Sequence, residues 1–579
     1  MNIYSDVRKD IIAILYDIKR EWQLADSISF DSVIVEPPRD RSYGELATNA
    51  AMVVAKQAKQ DPLVVAKFIE AKLNSDRRIK SINVVKPGFL NLKLKSAVWH
   101  SILTFALSNG ALFGSSKIGE GKKVNIEYVS ANPTGPLHVG HTRGAVFGDA
   151  LANLLEFIGF QVTREYYVND AGSQMDALAR SVYLRYLELH GSKVDFSGEE
   201  YPGEYLIDVA KGLKDSFKDS LLDLPEKEWI VKVRKFAADA MLKLIKQDLA
   251  LLGVNMDNYY SEKHLYESGK IEKAIDSLNS KNLIFDGVLP PPKGKIIENY
   301  EGREQTLFKS TSFGDDVDRP LKKSDGSWTY FAPDVAYHFD KIQRGYHELI
   351  DIFGADHSGY VKRMKAVVSA LSDGKVNLDI KLCQLVRLYK NGSQYKMSKR
   401  TGNFVTLNEM ISEVGKDVVR FLMLTRKNDA QLDFDFDNAL DQSKDNPVFY
   451  VQYAHARCES ILKKAHENNI SFTPANLQDL DLSLLSTEHE RGIILKICEW
   501  PRVIDLSGVS HEPHRIVFYL YELAADMHSF QHAGKIDSDL RVLNENISTT
   551  QARLALVTAV QNVIRIGLNI LGVSPLTKM

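Results

Sequence analysis

Two short segments carry residue types able to act on a phosphorylated substrate. The first is Pro136-Leu137-His138-Val139-Gly140-His141, which lies between a strand-like run, VNIEYVS, and a helical run, AVFGDALANLLEFI. A helix N-terminus offers unpaired N–H groups and the positive end of a dipole, which suits phosphate. Gly140 lets backbone approach a ligand closely. His138 and His141 can donate hydrogen bonds to phosphate or ribose oxygens. The second segment is Lys396-Met397-Ser398-Lys399, within QYKMSKRTGN. Upstream, LVRLYK and SQYK flank Asn391-Gly392, a strong hairpin signal of type I′, so the two ammoniums follow a hairpin on a loop. Such a loop could close over a pyrophosphate as charge develops on it. Taken singly, each segment also fits a plainer reading, as histidines beside a helix cap or as a solvated basic turn.

The surrounding elements give these residues a frame. Strand-like VNIEYVS, a helix ending at Gly159 with Ala150, Leu151, Leu154, Leu155 and Ile158 on one side, and strand-like QVTREYYV follow in order. That alternation predicts a doubly wound parallel sheet. A polar helical stretch over about 175–300 interrupts it, and LIDIFG then resumes the α/β pattern, so an insertion within one nucleotide-binding fold is expected. Before this region, residues 1–112 open with a helix carrying Val7, Ile11, Ile14, Leu15 and Ile18 and end in strand-like SINVVKPGFLNLKL. GALFGSSKIGEGKK reads as a linker. After about Phe436 the pattern is helical, with Asn446-Pro447 as an N-cap followed by proline at the first helical position. The expected domains are 1–112, 118–440 with its insertion, and an α-helical 441–579.

Composition narrows the class. The 579 residues carry 73 Lys+Arg against 75 Asp+Glu, a net charge of −2, so no global basic field attracts nucleic acid. With 44% hydrophobic and 26% charged residues, the chain is neither low-complexity nor disordered. The three cysteines, Cys383, Cys458 and Cys498, are scattered, which forms no metal pair or disulfide framework and points to a reducing compartment. The N-terminal MNIYSDVRKD has charges where a signal peptide needs an apolar run, and no membrane span is expected. From Asp441 onward there are 13 Lys+Arg and 16 Asp+Glu, so any RNA contact there would rely on shape and stacking.

In this order and spacing, the histidine and lysine segments are the paired signatures of class I aminoacyl-tRNA synthetases. Nearly the whole chain resembles the bacterial-type arginyl-tRNA synthetases. The resemblance runs through Glu127-Tyr128-Val129-Ser130-Ala131-Asn132, Tyr167-Val168-Asn169-Asp170-Ala171-Gly172, Asp315-Asp316-Val317-Asp318-Arg319-Pro320-Leu321 and Asp325-Gly326-Ser327-Trp328-Thr329-Tyr330. It continues through Gly354-Ala355-Asp356-His357 and the helical segment Asn446–Arg457. Many members have a degenerate lysine loop, whereas this chain has the full Lys-Met-Ser-Lys, read as a subgroup trait. The fold implied is multidomain α/β: a class I Rossmann-type catalytic domain with an insertion, a small α+β N-terminal domain and an all-α anticodon-binding bundle.

The resemblance also implies site roles. His138, His141, Lys396 and Lys399 would be catalytic, with Pro136, Gly140, Met397 and Ser398 completing the ATP contacts. A guanidinium is planar, forked and always charged, so its pocket needs carboxylates and other acceptors. The resemblance places Asn132 on the amino-acid backbone and Tyr330 and Asp334 beside Glu127 in an arginine pocket, with Ser130, His141 and Asp356 also on the substrate. Asp356 and His357 follow LIDIFG, at the usual ligand edge of a parallel sheet. Phe89 and Asn91 are carried over as contacts to a D-loop adenosine, although Phe89 beside Gly88 fits a core role equally well. The implied reaction joins L-arginine to tRNA(Arg) through an adenylate, in a cytoplasmic monomer. ATP enters with Mg²⁺ as co-substrate, and no structural metal or membrane is involved. A cysteinyl enzyme would need a zinc site that three scattered cysteines do not offer. A pantothenate-synthetase-like ligase has no use for the terminal modules, and a non-catalytic tRNA-binding paralogue would typically lose the histidines or lysines.

Overall fold

The computed structural model describes all residues except 197, 199, 290–301, 396–404, 444, 471–476 and 478–479. Lys396, Met397, Ser398 and Lys399 therefore lie outside the described residues. The chain forms two compact units, one of residues 1–116, 443–570 and 574–579, the other of 117–442 and 571–573.

In the first unit, an antiparallel sheet runs in the order Val35–Glu36, Leu46–Thr48, Phe89–Leu94, Ile79–Val85. SINVVKPGFLNLKL is thus two strands folded back at Lys86-Pro87-Gly88, a turn that a single strand reading overlooks. The long helices Pro447–Glu467, Glu488–Ser510, His514–Ile536 and Ile547–Leu571 make the bundle. Asn446 caps the first of these, its Oδ1 accepting from the Val448 and Phe449 amides at 3.0 and 3.4 Å ahead of Pro447. Helix Ile547–Leu571 is long and apolar enough to cross a membrane, but 83% of its most apolar window is buried in the protein. The N-terminal segment and the bundle were expected as separate domains, yet they share one compact unit. Asn2 donates to Asp505 at 2.8 Å, Arg41 pairs with Glu499 at 2.8 Å, and Glu45 pairs with Arg491. The expected linker contributes too, since the Trp500 indole N–H donates to the Phe113 carbonyl at 3.0 Å and Phe113 is buried.

The second unit is built on five parallel strands in the order Asn377–Cys383, Glu348–Gly354, Lys123–Glu127, Gln161–Val168, Asn258–Ser261. The strand order reverses beside Lys123–Glu127, which makes a switch point where a crevice opens past the carboxyl ends. Helix Val139–Phe157 forms the crossover from Lys123–Glu127 to Gln161–Val168, and Gly159 follows it at φ +95 as the expected stop. The insertion differs from its expected extent. Helices Ser173–Leu189, Tyr205–Phe217 and Glu226–Leu252 pack around their own core, but Asn258–Ser261 returns to the parallel sheet. A strand this short has too little periodicity to stand out among polar helices. Past the sheet, Val386–Lys390 pairs antiparallel with Ser393–Tyr395 and parallel with Leu432–Asp435. Asn391 and Gly392 have φ of 52 and 69, the doubly positive geometry that the hairpin signal requires.

Candidate active site

The histidine segment caps its own helix. Gly140 N donates to His138 Nδ1 at 3.1 Å, and His138 N donates to His141 Nδ1 at 3.3 Å. The two imidazoles thus satisfy helix N–H groups in the manner of a capping box, with ring centroids 4.0 Å apart. Because each Nδ1 accepts, a proton on either ring is carried by Nε2. Gly140 is required here for a reason beyond ligand approach: a Cβ would come 2.9 Å from His138 Cε1. The loop is anchored on both sides. Leu137 N donates to Asp248 Oδ2 at 2.9 Å, Val139 N to the Val405 carbonyl at 3.3 Å, and Leu407 N to the Leu137 carbonyl at 2.8 Å. The chain leaving the lysine motif is therefore hydrogen-bonded to the histidine loop.

At the switch point, strand register lines up three carboxylates: Glu165 faces Glu127, and Glu127 faces Asp351. Helix Phe331–Gln343 and the residue after it bring side-chain nitrogens to this row at three-residue spacing. Lys341 Nζ donates to Glu127 at 2.7 Å and Asp351 at 2.9 Å, His338 Nε2 lies 2.8 Å from Asp351, and Arg344 binds Glu165 through two nitrogens at 2.5 and 2.7 Å. Glu127, Asp351, Lys341, His338 and Glu165 are all buried. Burial opposes ionisation of Glu165, but the Arg344 hydrogen bonds and the nearby Lys341 charge outweigh it and hold the carboxyl down to about 2. Burial pushes Glu127 up against the pull of Lys341, while Lys341 itself is held charged against burial by Asp351 and Glu127. Glu127's other oxygen accepts from Ser130 Oγ at 3.0 Å. Val129 and Ser130 sit at φ 70 and 38; for a β-branched valine that is strained backbone of the kind that collects at functional sites.

Asp334, one turn before His338 on the same helix, stands apart. Burial pushes its carboxyl up to about 7, helped by the charges of Glu127 and Glu262 and opposed by His338. Glu262, just past the end of strand Asn258–Ser261, is likewise pushed up to about 7, by burial first and then by Asp170. Neither carboxylate has a hydrogen-bond or ion-pair partner among the described residues. Tyr167, Tyr260 and Tyr337 pack ring against ring alongside, with centroids 4.6 and 4.9 Å apart. Asp334 and Glu262 thus lack an ion-pair partner among the described residues, beside an aromatic cluster whose Tyr337 and Tyr260 rings meet Lys341, Lys270 and Arg344.

Three family models match the chain: "Arginyl tRNA synthetase N terminal domain" over residues 5–94, "tRNA synthetases class I (R), catalytic domain" over 102–443, and "DALR anticodon binding domain" over 451–579. Arginine–tRNA ligases of Ruegeria sp. (strain TM1040) and Ruegeria pomeroyi are 58% and 57% identical over 580 residues, covering 100% of each chain. The chain belongs to the arginine–tRNA ligases. It joins arginine to tRNA at the expense of ATP, through the class I catalytic domain. The solved arginyl-tRNA synthetase of Thermus thermophilus shares the fold at a TM-score of 0.75, with 20% identity and 100% of both chains covered.

Within this arginine–tRNA ligase fold, the residues expected from sequence separate. His138, His141, Pro136 and Gly140 share one loop, and Glu127, Ser130 and Asp334 converge near the switch point. Glu127 differs from expectation because both of its oxygens are engaged internally, by Lys341 and Ser130. Asn132 bridges Asn169 and Gln174 at 3.0 and 2.8 Å. Tyr330 begins the pocket helix and is 85% exposed, while Asp356 is an exposed side chain beside His357. Phe89 is exposed, but Asn91 is buried in the middle of its sheet, paired across to Ala47 and Asn83. That burial removes Asn91 as an open contact surface. Sequence reading missed Glu262, Lys341, His338, Asp351 and Arg344. The spacing of Asp334, His338 and Lys341 at i, i+4 and i+7 was the available signal for one charged helix face.

Proposed function

We propose that the arginine carboxylate attacks the α-phosphate of ATP, entering as its magnesium complex, to give arginyl-adenylate and pyrophosphate. The terminal 2′-hydroxyl of bound tRNA then attacks the adenylate carbonyl and AMP leaves. His138 and His141 meet the phosphate oxygens at the N-terminal, positive end of helix Val139–Phe157, with Pro136 and Gly140 completing the ATP contacts. Lys396 and Lys399, with Met397 and Ser398, neutralise the departing pyrophosphate; no side chain acts as a nucleophile. Asp334 and Glu262 receive the guanidinium, while Glu127 and Ser130 shape the pocket floor and Asn132 orients the amino acid's backbone. Tyr330 and Asp356 contribute from the rim. Residues 118–440 act as the catalytic domain, 1–112 as a module contacting tRNA through Phe89, and 441–579 as the anticodon-binding bundle, in a cytoplasmic monomer.

The observation that carries this reading is the charge asymmetry of the switch point. The histidines stand at a helix N-terminus, the positive end of a dipole, while Asp334 and Glu262 are carboxylates without an ion-pair partner among the described residues. Replacing His141 with Ala is expected to lower tRNA-dependent pyrophosphate exchange by about 10²–10³-fold, the usual loss for one contact to developing charge, with arginine KM unchanged. Near-normal exchange would remove this histidine from the phosphate site. Citrulline, the neutral near-isostere of arginine, should fail as a substrate in the same assay.

A further inference from the structure

Arg143 lies on helix Val139–Phe157, just beyond the two histidines, and only 2% of it is exposed. Its guanidinium meets no carboxylate within ion-pair distance among the described residues. Nη1 donates to the carbonyls of Gln384 at 3.0 Å and Ala430 at 2.6 Å, and Nη2 donates to that of Lys427 at 2.8 Å. The same helix carries a contrasting pair two turns on, where Asp149 meets the buried Arg420 at 2.5 Å. That arginine is ion-paired, whereas Arg143 has no carboxylate within ion-pair distance among the described residues and feels Asp429 only from farther off. Burying a charge against carbonyls alone is costly, and an apolar side chain would fill the space more cheaply if filling space were its only task.

What the fork gains is reach. Gln384 precedes strand Val386–Lys390, and Lys427 and Ala430 precede Leu432–Asp435, the strand paired with it. These strands, with Ser393–Tyr395, form the base from which the lysine motif departs. The loops gripped are themselves joined, Gln384 N donating to the Asn428 carbonyl at 2.8 Å and Asn428 Nδ2 to that of Leu382 at 2.9 Å.

We propose that Arg143 is a positioning residue, whose guanidinium fork fixes the base of hairpin 386–395, which precedes the lysine motif in the chain, against the histidine helix so that the two motifs engage ATP together. This rests on the assignment of those two motifs to ATP. Lysine keeps the charge but is a point donor without a planar fork, so Arg143→Lys separates geometry from charge.

The test is a double-mutant cycle on tRNA-dependent pyrophosphate exchange, using Arg143→Lys, Lys399→Ala and the double variant. Arg143→Lys is expected to lower kcat by about 10–100-fold, with arginine KM within about twofold of wild type, the loss of 1 Å-scale placement. In the Lys399→Ala background the same change should cost less than about threefold, because the loop it positions has lost its acting group. Additive losses would overturn the proposal, as would wild-type kcat in Arg143→Lys. A second variant, Arg143→Ala, should regain rate when guanidinium ion is added at millimolar concentration, and no regain in a folded variant would count against the fork. If Lys399→Ala alone is harmless, the assignment of the loops to ATP fails first, which separates that failure from this one.

Discussion

Two sets of carboxylates near the switch point differ in their partners: Glu127, Asp351 and Glu165 are buried, and Asp334 and Glu262 are half-buried. Glu127, Asp351 and Glu165 are ion-paired by the protein itself, through Lys341 and Arg344, and His338 Nε2 also lies against Asp351. Asp334 and Glu262 have no ion-pair partner among the described residues, and burial leaves both about half protonated near pH 7. The chemistry is alike in the two sets; the degree of burial and the supply of ion-pair partners are not. The difference separates carboxylates that the fold itself pairs from carboxylates that it leaves without an ion-pair partner among the described residues. An ion pair completed internally has little left to offer a guanidinium, whereas a lone desolvated carboxylate gains most from one.

The largest effect expected from breaking this contrast is in Lys341→Met. It strands Glu127 and Asp351 without their shared cation, at a cost of about 3–5 kcal/mol. Thermal unfolding should show a clearly lowered midpoint, and an unchanged midpoint would mean the internal set is not held by its cation. Next comes Asp334→Asn, which removes a charge that only substrate neutralises. Arginine KM should rise by the equivalent of about 2–5 kcal/mol, roughly 30-fold or more, without loss of stability. Glu127→Gln should do the reverse, costing stability and moving arginine KM less. If Glu127→Gln proves the more harmful to arginine binding, the two sets have exchanged roles.

The smallest expected effect is in pH, and it sharpens the comparison. Asp334 and Glu262 hold protons up to about 7 in the folded state, above their unfolded values near 4. The folded, arginine-free protein therefore binds more protons between about pH 4 and 7. Its stability from these groups falls as pH rises through that window, and the whole penalty is present above it. Arginine relieves the penalty, and its guanidinium does not titrate in this range. Raising pH from 6 to 8 should lower arginine KM, by up to about tenfold per group, and enlarge the thermal shift that arginine produces. Glu127→Gln should keep this dependence and Asp334→Asn should lose most of it; a slope unchanged in Asp334→Asn would place the titrating group elsewhere.

Much of the frame is local and can be read from neighbouring residues alone. Asn391-Gly392 turns where its backbone preference says, Asn446-Pro447 starts its helix, and Gly159 ends another. The histidine loop between strand and helix is equally local, since capping needs only residues within one turn. What escapes sequence reading is either short or distant. Strand Asn258–Ser261 is too brief to announce itself, and Glu262 goes unnoticed with it. The union of the N-terminal segment with the bundle rests on contacts such as Arg41 with Glu499, which no spacing rule connects.

The sequence by itself determined the class of chemistry, because the histidine and lysine segments and the order of strands and helices are properties of neighbouring residues. It also determined that carboxylates stand at strand ends. Only the tertiary structure decided which of them are paired within the protein. Helix Phe331–Gln343 lies over the sheet in one register, so Lys341 reaches Glu127 and Asp351 while Asp334, on the same helix, meets no cation among the described residues. Coulomb attraction and desolvation depend on separation and burial in space, and Glu127 and Lys341 are 214 residues apart along the chain and 2.7 Å apart in the fold.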